Sequence, residues 1–144
     1  MRTLILGAGV VGYNIAARLV QEQHDVVLID RDPNILRLAT DDLDVKGLVG
    51  NCALPKTLDD GDIQNAEMLI AVTNSDEVNI LACYNAAALS SRDLIKIARV
   101  RDPGYSDDRL TTQANFPVDL VINPERVTAD RILALLRYPC LLYT

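Results

Sequence analysis

Three glycines in the run Gly7-Ala8-Gly9-Val10-Val11-Gly12 have the spacing of a loop that brings backbone against a pyrophosphate. Gly7 allows a tight turn, Gly9 lets the chain approach phosphate with no Cβ in the way, and Gly12 lets a helix pack closely on a strand. The N–H groups and positive dipole at the start of that helix, around Val10 and Val11, would hold the phosphates. On its own the motif is weak evidence. Here it follows the apolar run Thr3-Leu4-Ile5-Leu6, opens a helical pattern, and is trailed by an acid at the tip of the next strand.

That acid is Asp30, about twenty residues beyond the loop, where a ribose-binding carboxylate belongs. It can accept from both hydroxyls of an adenosine ribose and would repel a 2′-phosphate, which disfavours NADP. The contact does not separate NAD from ATP, ADP or AMP, since all carry a free 2′-hydroxyl. Arg31 beside it could in principle accommodate a 2′-phosphate, but as a neighbour of Asp30 it more often lies over the adenine or faces solvent. In Gly50-Asn51-Cys52-Ala53, at the adenine edge, Asn51 either reads the adenine amino group or forms a turn. Thr73 and Asn74 open a polar loop that either meets a phosphate or second ribose, or only caps the next helix. Arg99 and Arg101 alternate around Val100 at the end of a buried strand. An arginine there calls for an anion, either a phosphate or a carboxylate such as Asp102 or Glu125.

Positioning these residues takes an alternation of strands and helices. Apolar runs at 3–6, 26–30, 45–49, 68–72, 94–100 and 118–122 read as strands. Between them, Val11, Ile15, Leu19 and Val20 share a helical face, and Asp32 with Pro33 starts a second helix. A short helix covers 55–60, and Ser75 caps a long one that runs to about Leu89. A weak helix falls within 105–114, and a last one runs from Glu125 to about Arg137. The alternation predicts an α/β, Rossmann-type doubly wound sheet of six mainly parallel strands, with helices on both faces, filling 1–144 as one domain.

At 144 residues, 49% of them apolar, the chain can fill a core without staples. Its 20 acidic and 14 basic residues leave a net charge of −6, a surface that repels nucleic acid in the absence of a basic cluster. Cys52, Cys83 and Cys140 are odd in number and lack metal spacing, so buried free thiols in a reducing cytoplasm are expected, and no metal site. No apolar run approaches the length that crosses a bilayer. Catalysis is not expected. The one histidine, His24, sits in a turn away from the carboxyl ends of the strands, Lys96 lies inside a strand, and no second domain closes over a substrate.

Several strings, in order along almost the whole chain, resemble the TrkA/RCK (KTN) regulators of potassium transport. They are Leu4-Ile5-Leu6-Gly7-Ala8-Gly9-Val10-Val11-Gly12, Val27-Leu28-Ile29-Asp30, and Gly50-Asn51-Cys52-Ala53. Ile70-Ala71-Val72-Thr73-Asn74-Ser75-Asp76-Glu77-Val78-Asn79 continues the likeness, with Ile97-Ala98-Arg99-Val100-Arg101-Asp102-Pro103 and Val121-Ile122-Asn123-Pro124-Glu125. The resemblance implies an RCK N-terminal nucleotide-binding domain, a fragment of a longer regulator. It implies a non-catalytic regulatory subunit in the cytoplasm, held at the inner face of the plasma membrane by the TrkH-type potassium transporter that it gates. Homodimers that assemble into a ring, no direct membrane insertion, and NAD(H) or ATP/ADP in the cleft are implied as well.

Carried over by residue, Gly7, Gly9 and Gly12 hold phosphates, Asp30 the ribose, and Asn51 with Cys52 lies by the adenine. Thr73 and Asn74 line the cleft, Arg99 meets phosphates directly or across a dimer interface, and Glu125 resembles an interfacial acid that helps hold a cation. Where family members often carry glycine, this chain has Gln23, before His24, and Asp62, within Gly61-Asp62-Ile63. The apolar segment 138–144 is unusual for an exposed terminus and suits a fragment or a last helix packed on a partner. Two other readings stand beside this one. The first is an NAD-dependent oxidoreductase lacking its substrate domain; the second is a ring-forming scaffold with a vestigial site, against which the intact loop and Asp30 argue.

Overall fold

The computed structural model describes residues 1–137; the segment 138–144, with Cys140, lies outside the described residues. Six strands form one sheet: β1 (Arg2–Leu6), β2 (Asp25–Asp30), β3 (Lys46–Val49), β4 (Met68–Ala71), β5 (Ile95–Arg99) and β6 (Leu120–Ile122). Their order is β3-β2-β1-β4-β5-β6, and every pairing is parallel. The helices are α1 (Val10–Gln21), α2 (Pro33–Asp42), α3 (Pro55–Asp60), α4 (Asp76–Leu89), α5 (Asp108–Thr111) and α6 (Pro124–Arg137). The chain winds outwards from β1 to β3, returns to the centre at β4, and winds outwards the other way. At that reversal, between β1 and β4, a crevice opens at the carboxyl ends of the strands.

The strands read as unbroken apolar runs because both sheet faces are covered. Leu4, Leu6, Val27, Ile29 and Leu69 turn to one face, where they pack with Leu58 of α3 and Ala82, Cys83 and Ala86 of α4. Ile5, Val26, Leu28 and Ile70 turn to the other, against Ala16 of α1 and Leu36 and Ala39 of α2. Register keeps like with like: Leu4 stands beside Val27 and Leu69, and Ile5 beside Leu28 and Ile70. A slip of one residue would turn each set to the wrong face. Where helices meet the sheet the buried residues are often alanine, so the backbones approach closely. A larger side chain there would overpack the contact at a cost of about 1–3 kcal/mol.

Local chemistry sets the helix limits. Asp32 accepts from the Asn34 N–H at 2.9 Å with Pro33 as the first helical residue, and the Ser75 hydroxyl accepts from the Val78 N–H at 3.2 Å. The weak helix foreseen at 105–114 divides into a 3₁₀ turn, Pro103–Ser106, and the four-residue α5. Gln23 and Asp62 both take left-handed backbone, with φ of 63° and 65°. α6 stands apart: none of its described residues is buried, and Val127, Ile132, Leu133 and Leu136 are about half exposed or more. No helix among the described residues is long and apolar enough to cross a membrane.

Candidate functional site

The glycine loop closes on itself where β1 hands over to α1. Gly7 has a φ of +102°, and a Cβ there would lie 2.8 Å from the Val72 carbonyl oxygen. Gly12 is tighter still, because its Cβ would fall 1.8 Å from the Gly7 carbonyl oxygen. Gly9 is different: nothing lies within 4 Å of the carbon it lacks, so no protein packing demands glycine there. α1 begins with no side chain capping it, and Val10 and Val11 stand at the wall of the cleft. Its first-turn amides and positive end are thereby offered to an anion.

Asp30, at the tip of β2, is tied to this loop. One carboxylate oxygen accepts from the Ala8 N–H at 2.8 Å, the other from the Asp32 N–H at 2.8 Å. Loop and acid therefore form one rigid unit, and each oxygen keeps acceptor capacity for a hydroxyl. Arg31 and Ile35 flank it in the cleft lining. Ile35 was not foreseen there; it is a partly exposed apolar residue in the first turn of α2, consistent with a wall for a flat ring.

On the next strand exit, Asn51 turns its side-chain oxygen to the Ala53 N–H at 3.0 Å, so it forms a turn, and it also lines the cleft. Cys52 is buried, with its sulfur 3.9 Å from the Ile29 carbonyl oxygen. Burial pushes its thiol up to about 11, with the Asp30 charge adding to the effect. It remains a neutral thiol at physiological pH.

The opposite wall comes from β4, α4 and β5. The Thr73 N–H and hydroxyl both donate to the side-chain oxygen of Asn79, at 2.9 and 2.7 Å, so the hydroxyl proton is turned into the fold. Asn79 is fully buried, and its amide nitrogen donates to the carbonyls of Thr73, at 3.2 Å, and Arg99, at 2.8 Å. Its role was not foreseen; the one signal was a polar side chain on the sheet-facing side of α4. Arg101 is exposed and donates to the Asn74 carbonyl at 2.7 Å.

Arg99 is the buried arginine, its side chain 10% exposed. It pairs with Glu125 at the start of α6, which realises the carboxylate alternative, yet its Nε is buried without a hydrogen-bond partner among the described residues. The Glu125 carboxyl is held below the usual carboxylate range, first by its own backbone N–H and then by Arg99.

One cleft of about 810 Å³ gathers these groups, within the size range of small-molecule and cofactor sites. Every expected site residue lines it except Gly12, which packs beneath the loop, and Arg101, the second candidate arginine, lies outside the lining as well. Val72, Ser75 and Val78 join the lining, and no histidine or lysine does.

The chain matches the TrkA-N domain over residues 3–124. The Trk system potassium uptake protein TrkA of Azorhizobium caulinodans is 40% identical over 142 residues, covering 96% of this chain and 31% of that protein. The Trk system potassium uptake protein trkA homolog 1 of Methanosarcina mazei is 42% identical over 144 residues, covering 96% and 35%. The chain thus spans about a third of the length of the curated relatives it matches. Among solved structures, the TrkA-N domain of inner membrane protein ybaL from Escherichia coli has a TM-score of 0.77 at 24% identity, covering 94% of this chain and 96% of that one. The Shewanella denitrificans Kef CTD in AMP bound form has a TM-score of 0.74 at 18% identity, covering 94% and 82%. The GsuK channel bound to NAD has a TM-score of 0.69 at 18% identity, covering 84% and 21%. These structural likenesses speak for the fold, and the sequence matches for the family. The chain belongs to the TrkA-N domain family.

Proposed function

We propose that this chain is the nucleotide-sensing domain of a Trk-type potassium uptake regulator, one domain of a longer protein. It binds NAD(H) or ATP/ADP in the cleft and thereby gates potassium transport. The observation that carries this reading is the convergence, in one cleft, of an amide-fixed carboxylate and a buried arginine with a donor to spare. The open side of Gly9 and the uncapped start of α1 lie between them and fit phosphates. Structures of like fold carry NAD and AMP, which supports an adenine nucleotide here.

The domain works as a binding module rather than an enzyme, a reading supported by its similarity to Trk potassium uptake proteins. Its place is the cytoplasm, at the inner face of the plasma membrane, against a TrkH-type transporter. It pairs with itself and builds a ring; the exposed Leu81 and Tyr84 on α4 and the apolar face of α6 are surfaces suited to such contacts. A ligand gates only if it prefers one ring geometry over another. A phosphate that draws Arg99, or a cation at Glu125, supplies that preference.

Thermal unfolding with NAD+, NADH, NADPH, ATP, ADP and AMP, each with and without Mg2+, tests the reading. A ligand at about 100 times its dissociation constant adds roughly 2.7 kcal/mol, a rise of several degrees for a domain of this size. NADH or ATP is expected to give that rise and NADPH little. No rise with any of them overturns the nucleotide switch.

A further inference from the structure

The polar strings that frame one side of the cleft, 73–79 and 99–105, hold one another. Asn79 grips from inside: its amide joins the Thr73 N–H and hydroxyl to the Thr73 and Arg99 carbonyls. Asp76 grips from outside. Its two carboxylate oxygens take the successive N–H groups of Arg101, at 3.0 Å, and Asp102, at 2.9 Å. Both grips issue from the first turn of α4, and together they fix the backbone on either side of Val100. Neither Asp76 nor Asn79 lines the cleft. The guanidinium they flank does, and with a side chain only 10% exposed it has little freedom apart from that of its backbone.

The geometry points to Asp76 and Asn79 as positioning residues for phosphate recognition: they set where Arg99 presents its guanidinium and touch no ligand themselves. This rests on the proposed nucleotide reading. Charge-assisted hydrogen bonds weaken steeply with misplacement, so a small shift of the β5 exit is felt by whatever the arginine meets. Ribose and base, gripped at Asp30, should not feel it.

Asp76→Asn is the discriminating variant. An amide offers one acceptor where the carboxylate offers two, so one of the two backbone N–H groups loses its partner. Removing a negative charge near the cleft would, by charge alone, tighten binding of the more highly charged nucleotide. The positioning role predicts the opposite sign: by calorimetry, the Kd for ATP rises about fivefold while that for AMP stays within about twofold. Asn79→Ala, a neutral change, tests the inner grip with the same pair of ligands. Should it not fold, Asp76→Asn, nearer the surface, carries the test alone. Unchanged or tighter ATP binding in Asp76→Asn overturns the inference, as does an equal loss for ATP and AMP. If Arg99→Ala weakens ATP and Asp76→Asn does not, the inference falls and the proposed function stands. A wild-type chain that binds no adenine nucleotide overturns the proposed function and this inference with it.

Discussion

Arg99 and Glu125 form an ion pair at the mouth of the cleft, the arginine nearly buried at the end of β5 and the glutamate more than half exposed in the first turn of α6. The start of a long, mostly solvent-facing helix is thereby tied through an exposed carboxylate to an arginine of the cleft lining.

The pair has a pH signature. The Glu125 carboxyl is held down chiefly by its own backbone N–H and next by Arg99, so its contribution is present above the ordinary carboxylate range. It disappears as pH falls through the lowered value. Wild type should therefore melt above Glu125→Gln near neutral pH, with the gap closing only once pH has fallen below the ordinary carboxylate range. A gap that persists unchanged until acid unfolding would show that the carboxylate charge is not what holds α6.

Gly12 and Gly9 share a motif and should fail differently. Gly12→Ala places a carbon 1.8 Å from the Gly7 carbonyl oxygen, so α1 must move off β1 and stability falls by about 3 kcal/mol or more. Gly9→Ala meets nothing within 4 Å and should leave the melting temperature within a degree or so, about the span of a surface substitution. Its effect belongs to the ligand. Calorimetry should show NADH or ATP binding weakened about tenfold or more, as expected where backbone meets pyrophosphate. Intact binding in Gly9→Ala would remove phosphate from that side of the loop.

Asp30→Ala removes the acceptor of two backbone N–H groups as well as the proposed ribose contact. Leaving those amides without a partner costs about 1–3 kcal/mol, read as a lower melting temperature without ligand. The preference for NADH over NADPH should narrow at the same time, since the charge that repels a 2′-phosphate is gone. A variant that loses stability and keeps full discrimination would assign Asp30 to the fold alone.

Gln23 and Asp62, the two positions where the resemblance implies glycine, are both left-handed. Gln23→Gly should relieve strain and stabilise the domain by about 0.5–1 kcal/mol, a rise of a few degrees in melting temperature. Asp62→Gly should gain less, because the Asp62 carboxylate accepts from the Asn65 side chain at 2.8 Å and pairs with Arg2. A larger gain at Asp62 than at Gln23 would refute that ordering.

Much of this was legible in the chain. Strands buried on both faces show as apolar runs, and caps such as Asp32 and Ser75 act on amides two or three residues away, within reach of a local reading. Within the candidate cleft, glycine spacing and the Asp30 offset were enough to tell that loop and acid come together, because the turn and the strand tip are set locally. What escaped is long-range. Asp76 after a capping serine reads as a charge against a helix dipole, yet its carboxylate holds amides on another loop. Arg99 and Arg101 look equivalent at strand spacing, but β5 ends at Arg99, so only the first stays buried while the second turns outwards. Asn51 had two roles open to it, and only coordinates could show its side chain closing a turn.

Asp30 ends β2 and Arg99 ends β5, and the order of the sheet puts β1 and β4 between them. Three inter-strand steps of about 4.8 Å set their backbones roughly 14 Å apart. The cleft is therefore a gauge of length. A molecule anchored at Asp30 would have to span that separation, less the length of the arginine side chain, to meet Arg99. Short and long ligands that present the same anchoring group can be told apart by reach alone.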